Sequence, residues 1–238
     1  MPGARDLDQH SWRPQRFGRR RARQIVDPII EPLWSGERIL VHLDGSRIDI
    51  IDERGTRLSV ESVSIEGIGS GEELGAIVDE VGRGVRADSL VLDGYLTRQP
   101  TRQVEGLLLD PAMRPPSAAE STSRLFLGAA ARIRQLEDRI PDPSPEEAAL
   151  ALVVVDLLAI DGEPLLDVPL LERKRLLDTA LDESGLVRRT AFVRPPVDHW
   201  LRSWRTLGFR SLAYKAANSR YEPGADNDAW AVVAMPRH

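Results

Sequence analysis

Cysteine is absent from this chain. Disulfides and thiolate metal sites are therefore excluded, and a cytoplasmic location is the expectation. Lysine is almost absent too: only Lys174 and Lys215 occur, and no lysine stands anywhere between residues 1 and 173. Nearly all positive charge is therefore arginine, which stays protonated and cannot replace a lysine as a nucleophile. Aromatic residues make up 5% of the chain. No apolar stretch approaches the roughly 18 uncharged residues of a membrane span, so no membrane partner is expected. The basic N-terminus has no apolar segment behind it and does not read as a secretory signal. The four histidines, at 10, 42, 199 and 238, show no metal-ligand spacing, so no metal site is assigned. GxSxG, P-loop and GxGxxG strings are also missing.

What is present fits a globular chain of 238 residues, 42% hydrophobic and 29% charged, with room for one large domain or two small ones. Its charge is uneven. Residues 1–23 hold seven arginines (Arg5, Arg13, Arg16, Arg19, Arg20, Arg21, Arg23) against Asp6 and Asp8, while the whole chain is at −5. Residues 1–24 lack periodic apolar positions and are expected to form a basic, disordered arm, with the domain proper at 25–238. Two readings of the arm stand open: contact with nucleic acid through Arg13, Arg16, Arg19, Arg20, Arg21 and Arg23, or a solvated tail.

Along the body, Ile39 to Leu43 and Arg47 to Ile51 read as strands joined by a hairpin turn at Asp44-Gly45. His42 is expected to be a surface or hydrogen-bonded strand histidine. Gly67 to Gly71 is a glycine-rich connection into a helix over Gly71–Arg86, with Leu74, Ile77, Val78 and Val81 on one face. Ser89 to Thr97 is a strand. Gln99 to Ser123 reads as a Pro-rich loop and Leu125 to Arg139 as an amphipathic helix. The apolar run from Ala149 to Leu158 reads as a buried strand. Asp161-Gly162 turns it, and Pro169 opens a helix over Leu170–Leu181. Thr190 to Arg194 reads as a short strand. A helix over Val197–Leu207 follows, with Trp200 and Trp204 on one face as core residues. Strands are expected at Arg210–Ala216 and Ala229–Met235.

The segment Asp156-Leu157-Leu158 … Asp161-Gly162 … Pro169-Leu170-Leu171-Glu172-Arg173-Lys174-Arg175-Leu176-Leu177 resembles the DLLxxDGxxLxxxPLxxRRxxL string of the adenylation domain of ATP-dependent DNA ligases. Other strings align in the same order. Glu31-Pro32-Leu33-Trp34-Ser35-Gly36-Glu37-Arg38 is similar to EPKWDGFR, and Asp93-Gly94-Tyr95 to DGE. Arg210-Ser211-Leu212-Ala213-Tyr214-Lys215 is similar to EGVVAK, Asn218 to Gly224 to DSPYRPG, and Trp230 to Ala234 to WLKVK. The resemblance spans about residues 28 to 235. It implies an α+β nucleotidyltransferase core, two antiparallel sheets flanked by helices in an ATP-grasp-like arrangement; the OB-fold domain that typically follows in the family is not expected in this chain. It implies ATP and Mg2+ as cofactors and a place in DNA repair or recombination. In that family a lysine attacks the ATP α-phosphate, releasing pyrophosphate, and the AMP then passes to a DNA 5′-phosphate, with carboxylates holding the metal.

On this chain the nucleophile position is Leu33, and the other positions that depart are Ser35, Tyr95, Arg210, Val232 and Ala234. The position of the family's adenine-stacking aromatic holds Val155. Glu31, Arg38 and Lys215 match and are the nucleotide-binding candidates. Asp156 and Asp161 match residues that shape the strand and turn. The expected function is accordingly that of a catalytically silent relative, acting as a module that binds nucleic acid or a partner. The alternatives are a working ligase with residual ATP binding and a structural partner of a repair protein.

Overall fold

The computed structural model describes residues 8–62, 65, 68–99 and 149–235, apart from the side chain of His199. The expected helix at Leu125–Arg139, and all but the first residue of the expected loop before it, lie outside the described residues. Fifteen segments build the rest: β1 (Arg16–Phe17), β2 (Pro28–Pro32), β3 (Glu37–Asp44), β4 (Arg47–Asp52), β5 (Arg57–Leu58), α1 (Gly71–Gly84), β6 (Ser89–Thr97), β7 (Ala151–Ile160), β8 (Glu163–Pro164), α2 (Leu170–Ala180), β9 (Val187–Arg189), α3 (Asp198–Thr206), β10 (Ser211–Ala216), β11 (Asp226–Asn227) and β12 (Trp230–Ala234).

The large sheet runs β5-β4-β3-β6-β7-β8 with antiparallel neighbours, and β9 adds to β7 in parallel. The small sheet is β12-β10-β2, antiparallel throughout. A parallel ribbon joins β1 to β11. β6 and β7 are buried along almost their whole length, because the large sheet is covered on both faces. Its outer face packs Ile39, Val41, Leu92 and Val154 against Leu74, Ile77 and Val81 of α1. That double burial is why both strands are largely apolar, with Asp93 of β6 and Asp156 of β7 as buried exceptions. The inner face carries Arg38, Leu40, Asp93, Tyr95 and Val155 toward the small sheet, as the alternation of strand side chains requires.

The helices follow from local chemistry. Ser70 caps α1: the Glu73 N–H donates to Ser70 Oγ at 3.2 Å, and the Ser70 N–H donates to Glu73 Oε2 at 3.0 Å. This reciprocal pair satisfies two donors that the first turn leaves open. Pro169 caps α2, one position before the first helical residue. In α3, Trp200 and Trp204 are buried and their rings stack at 6.5 Å, the core role expected of them. Gly36 sits at φ +122°, and a Cβ there would stand 2.0 Å from the Leu96 carbonyl oxygen. Only glycine fits that turn between β2 and β3.

Two expectations need correction, and one strand, β2, was not read from the sequence at all. Residues 8–24 are not a disordered arm. Trp12 is 2% exposed and Gln15 is fully buried, β1 pairs with β11, and two 3-10 turns, Gln9–Ser11 and Ala22–Gln24, flank β1. The segment lacks a periodic apolar face because it is anchored by isolated residues rather than by a helix or strand stripe. Residues 1–7 lie outside the described residues. Pro28–Pro32 is a strand that two prolines disguise; β2 is the edge of the small sheet, where proline is tolerated. The strand expected at Thr190–Arg194 lies instead at Val187–Arg189, and Val193 makes only an isolated bridge to Ile30. No helix among the described residues is long and apolar enough to cross a membrane.

Candidate functional site between the two sheets

Charged side chains meet in the space between the sheets, and every one of them is paired. On β3 and β6, Arg38 lies opposite Tyr95, so Asp93, two residues from Tyr95 on the same face, is its diagonal neighbour and within reach of a long side chain. Arg38 Nε donates to Asp93 Oδ1 at 3.0 Å and Nη2 to Oδ2 at 2.7 Å. The Tyr221 hydroxyl donates to the same Oδ2 at 2.7 Å and accepts from the Gln15 N–H at 2.9 Å. One chain of bonds thus runs from the N-terminal segment through the Asn218–Gly224 loop into the large sheet.

Asp93 also faces Asp156 directly across β6 and β7, where the register shifts. Two carboxylates opposite each other would repel. Arg38 neutralises one. Arg173 of α2 neutralises the other, with Nε to Asp156 Oδ1 at 2.9 Å and Nη2 to Oδ2 at 2.7 Å. The Arg173 guanidinium also donates to the carbonyls of Val168 and Ser219. Both forks are bidentate and fully buried, the strongest class of charged hydrogen bond.

The third cluster unites both lysines of the chain. Glu31 of β2 forms ion pairs with Lys174 Nζ at 2.5 Å and Lys215 Nζ at 2.7 Å, with all three side chains at most 4% exposed. Lys215 also lies over the Trp230 ring, 4.1 Å from its centre, and Arg38 lies 5.8 Å from that centre. Burial alone would raise the Glu31 pKa, but the two ammonium groups outweigh it and hold the carboxyl below its usual value. Burial pulls the Lys215 pKa down, against the pull of Glu31. Burial also works against the Arg38 charge, but Asp93 overcomes it and keeps the guanidinium firmly protonated. Burial raises the pKa of Tyr95 and, with Asp93 beside it, raises that of Tyr221 well above the ordinary phenol value.

The positions that depart from the family strings fall into two groups. Leu33, Tyr95 and Val155 belong to one apolar cluster, together with Ile30, Trp34, Val153, Trp200, Trp204, Phe209 and Leu212. Ser35, Arg210, Val232 and Ala234 are exposed. Of the three nucleotide-binding candidates, Glu31 and Lys215 come together, while Arg38 belongs to the Asp93 cluster. The arm residues Arg16, Arg19, Arg20, Arg21 and Arg23 are exposed and Arg13 is half-buried. Arg16 pairs with Asp226 at 2.6 Å and Arg20 with Asp228 at 3.8 Å.

Sequence reasoning missed Arg173, Lys174 and Tyr221 as site residues. The signal for the first two lay in their spacing. Leu170, Arg173, Lys174 and Leu177 recur at helical intervals, so the apolar stripe of α2 carries two cations inward.

A metal centre does not fit these residues. The family's carboxylate positions hold Tyr95 and the exposed Arg210, and the carboxylates that do face the space, Glu31, Asp93 and Asp156, are each saturated by cations. Among the described residues no group of three or more His, Asp or Glu side chains is placed to hold a metal ion.

Two antiparallel sheets facing each other across buried charges, with α1, α2 and α3 packed on them, define a ligase-type nucleotidyltransferase core. The family model described as the ATP dependent DNA ligase domain matches residues 21–233, and the chain belongs to that family. It is 26% identical over 204 residues to a DNA ligase of Thermococcus fumicolans, covering 84% of this chain and 31% of that protein. It is 28% identical over 217 residues to a probable DNA ligase of Nocardia farcinica, covering 86% and 38%. The chain thus spans about a third of the length of these curated relatives. The fold is similar to that of the ligase domain of Mycobacterium tuberculosis LigD, with a TM-score of 0.58 and 18% identity over 96% of this chain and 61% of the other.

Proposed function

We propose that this chain is a ligase-family domain that does not adenylate itself and that acts as a module binding nucleic acid or a protein partner in DNA repair or recombination in the cytoplasm. One observation carries this reading. The position of the family nucleophile is Leu33, and the only two lysines, Lys174 and Lys215, are both buried on Glu31. A lysine must present an uncharged, accessible amine to attack a phosphate. Each of these is instead an ion-paired donor, at most 4% exposed. The test is incubation with α-labelled ATP and a divalent metal, followed by a denaturing gel. No labelled band is expected. A stable adduct at any residue overturns the reading and restores that of a working nucleotidyltransferase.

The exposed Arg16, Arg19, Arg20, Arg21 and Arg23 support nucleic acid as the ligand. With at most about five to seven phosphate contacts, the log–log salt dependence for duplex DNA should be no steeper than about −6. Fluorescence anisotropy at two salt concentrations measures it. Absence of binding at low salt would leave the protein-partner reading.

A further inference from the structure

The N-terminal segment meets the large sheet at two imidazoles. His42 lies on β3, opposite Asp49 of β4 and Val91 of β6. Against expectation it is neither on the surface nor hydrogen-bonded at both nitrogens: it is 5% exposed, and its Nε2 has no partner. The ring of His10 stacks on it, with centres 5.0 Å apart and planes 16° from parallel. His10 Nδ1 is 3.3 Å from Asp8 Oδ1, and Nε2 is 3.9 Å from Asp49 Oδ2. A cavity of about 270 Å3 runs along this seam, lined by Gln9, His10, His42, Asp49, Ser89 and Gly162.

We propose that the His10–His42 stack is a proton-operated latch: it holds residues 8–24 on the body while His42 is neutral and releases them when His42 is protonated. The charged groups around His42 explain the direction. From the segment, His10, Arg13 and Asp8 face it. From β4, Asp49 is the nearest acid, but it is already held by Arg47 at 3.1 Å and by Arg57 from β5. Arg47 and Asp44 also line the seam, and β6 offers only Ser89, Leu90 and Val91 there. An imidazolium at His42 would therefore be buried, without an acceptor at Nε2, and beside a second imidazole and a guanidinium.

Burial first, then His10, press the His42 pKa down to about 4; Asp8 pulls the other way, and Arg13 adds a smaller push downward. Once the segment lifts, His42 meets water and returns to about 6.5. The closed form is thus favoured above pH 6.5, and the advantage is lost as pH falls from 6.5 toward 4. Linkage makes the opening constant rise about 30-fold between pH 8 and pH 5. The seam supplies the route by which protons reach the ring. The latch concerns attachment of the segment and does not depend on what the segment binds.

Hydrogen exchange on the intact chain tests it. Opening constants for peptides within residues 8–24, corrected for intrinsic exchange, should rise about 30-fold from pH 8 to pH 5. Peptides of β6 and β7 should stay protected, since they report global opening. His42→Phe keeps a ring for His10 to stack on and removes the titration, so its pH 5 to pH 8 ratio should fall within about twofold of unity. Where that variant does not fold, a proton NMR titration of His42 in the wild-type chain substitutes, with a midpoint expected near 4. A pH-independent segment, an unchanged rise in His42→Phe, parallel opening of β6 and β7, or a His42 midpoint near 6.5 would each overturn the latch.

Discussion

Truncating Trp12 to alanine distinguishes a docked segment from a solvated arm. Trp12 is 2% exposed and packs with Ile29, Leu40, Val91, Tyr221 and Trp230. Its ring joins the N-terminal segment to both sheets. A buried tryptophan removes roughly 150–250 Å² from water, and at about 25 cal/mol per Å² the lost transfer energy is about 4–6 kcal/mol. Measured Trp→Ala losses cluster at about 3–5 kcal/mol. The segment is tethered only on its C-terminal side within the described residues and can shift to fill part of the void, so the lower end, about 3 kcal/mol, is the expectation. For a chain of this size that lowers Tm by about 6–12 °C. Urea unfolding followed by fluorescence and far-UV circular dichroism would supply the free energy and check that the two probes agree. Trp12 Nε1 has no hydrogen-bond partner, so Trp12→Phe should cost only the difference in volume and lie well below the alanine variant. A loss under about 0.5 kcal/mol for Trp12→Ala, the size of an ordinary surface change, would refute the docking argument.

Tyr221→Phe removes the hydroxyl between Gln15 and Asp93 and should cost about 1–3 kcal/mol in urea unfolding, because it strands a buried N–H and one carboxylate lone pair. Arg173→Ala leaves Asp156 as a buried, unpaired carboxylate and should cost about 3–5 kcal/mol, or more if the chain no longer folds at 37 °C. Glu31 contributes stability that is fully present above its ordinary carboxylate pKa and is lost as pH falls through its depressed folded value. The acid limb of a stability-against-pH curve should therefore flatten in Glu31→Gln, and an unchanged limb would show that Glu31 is not linked to folding. Leu33→Lys alone should not seal nicked DNA in a gel assay, since Tyr95, Arg210, Val232 and Ala234 remain.

Elements with one dominant local signal were legible in the sequence. The apolar face of α1, the β3–β4 hairpin and the β6 and β7 runs each state their own structure, and the observed bounds lie within a few residues of those expected. β2 was not legible, because proline at both ends argues against a strand unless one knows that it lies at a sheet edge. The N-terminal segment failed for a related reason. Its composition is that of a tail, and the burial of Trp12 and Gln15 depends on partners some 200 residues away, such as Tyr221 and Asn227. For the site, Glu31, Arg38 and Lys215 stood out through family strings. Arg173, Lys174 and Tyr221 did not, although the recurrence of Leu170, Arg173, Lys174 and Leu177 at helical intervals already places the two cations on the apolar stripe of α2.

The pairings explain why the family positions that do match need not signal nucleotide binding. A polyphosphate entering between the sheets requires cations free to turn toward it. Here Arg38 is held by both oxygens of Asp93, Arg173 by both oxygens of Asp156, and the two lysines share Glu31. Turning either arginine to a ligand strands a buried carboxylate at a cost of several kcal/mol, which the new contact must first offset, and turning both lysines does the same to Glu31. The matching residues are then accounted for by the packing of the two sheets against each other: Glu31 ties β2 to α2 and β10, and Asp93 ties β6 to β3 and to the Tyr221 loop. Glu31, Arg38 and Lys215 therefore have a structural role that is complete without a nucleotide: each pairs with a residue of another element, beside the apolar cluster that holds Leu33 and Val155.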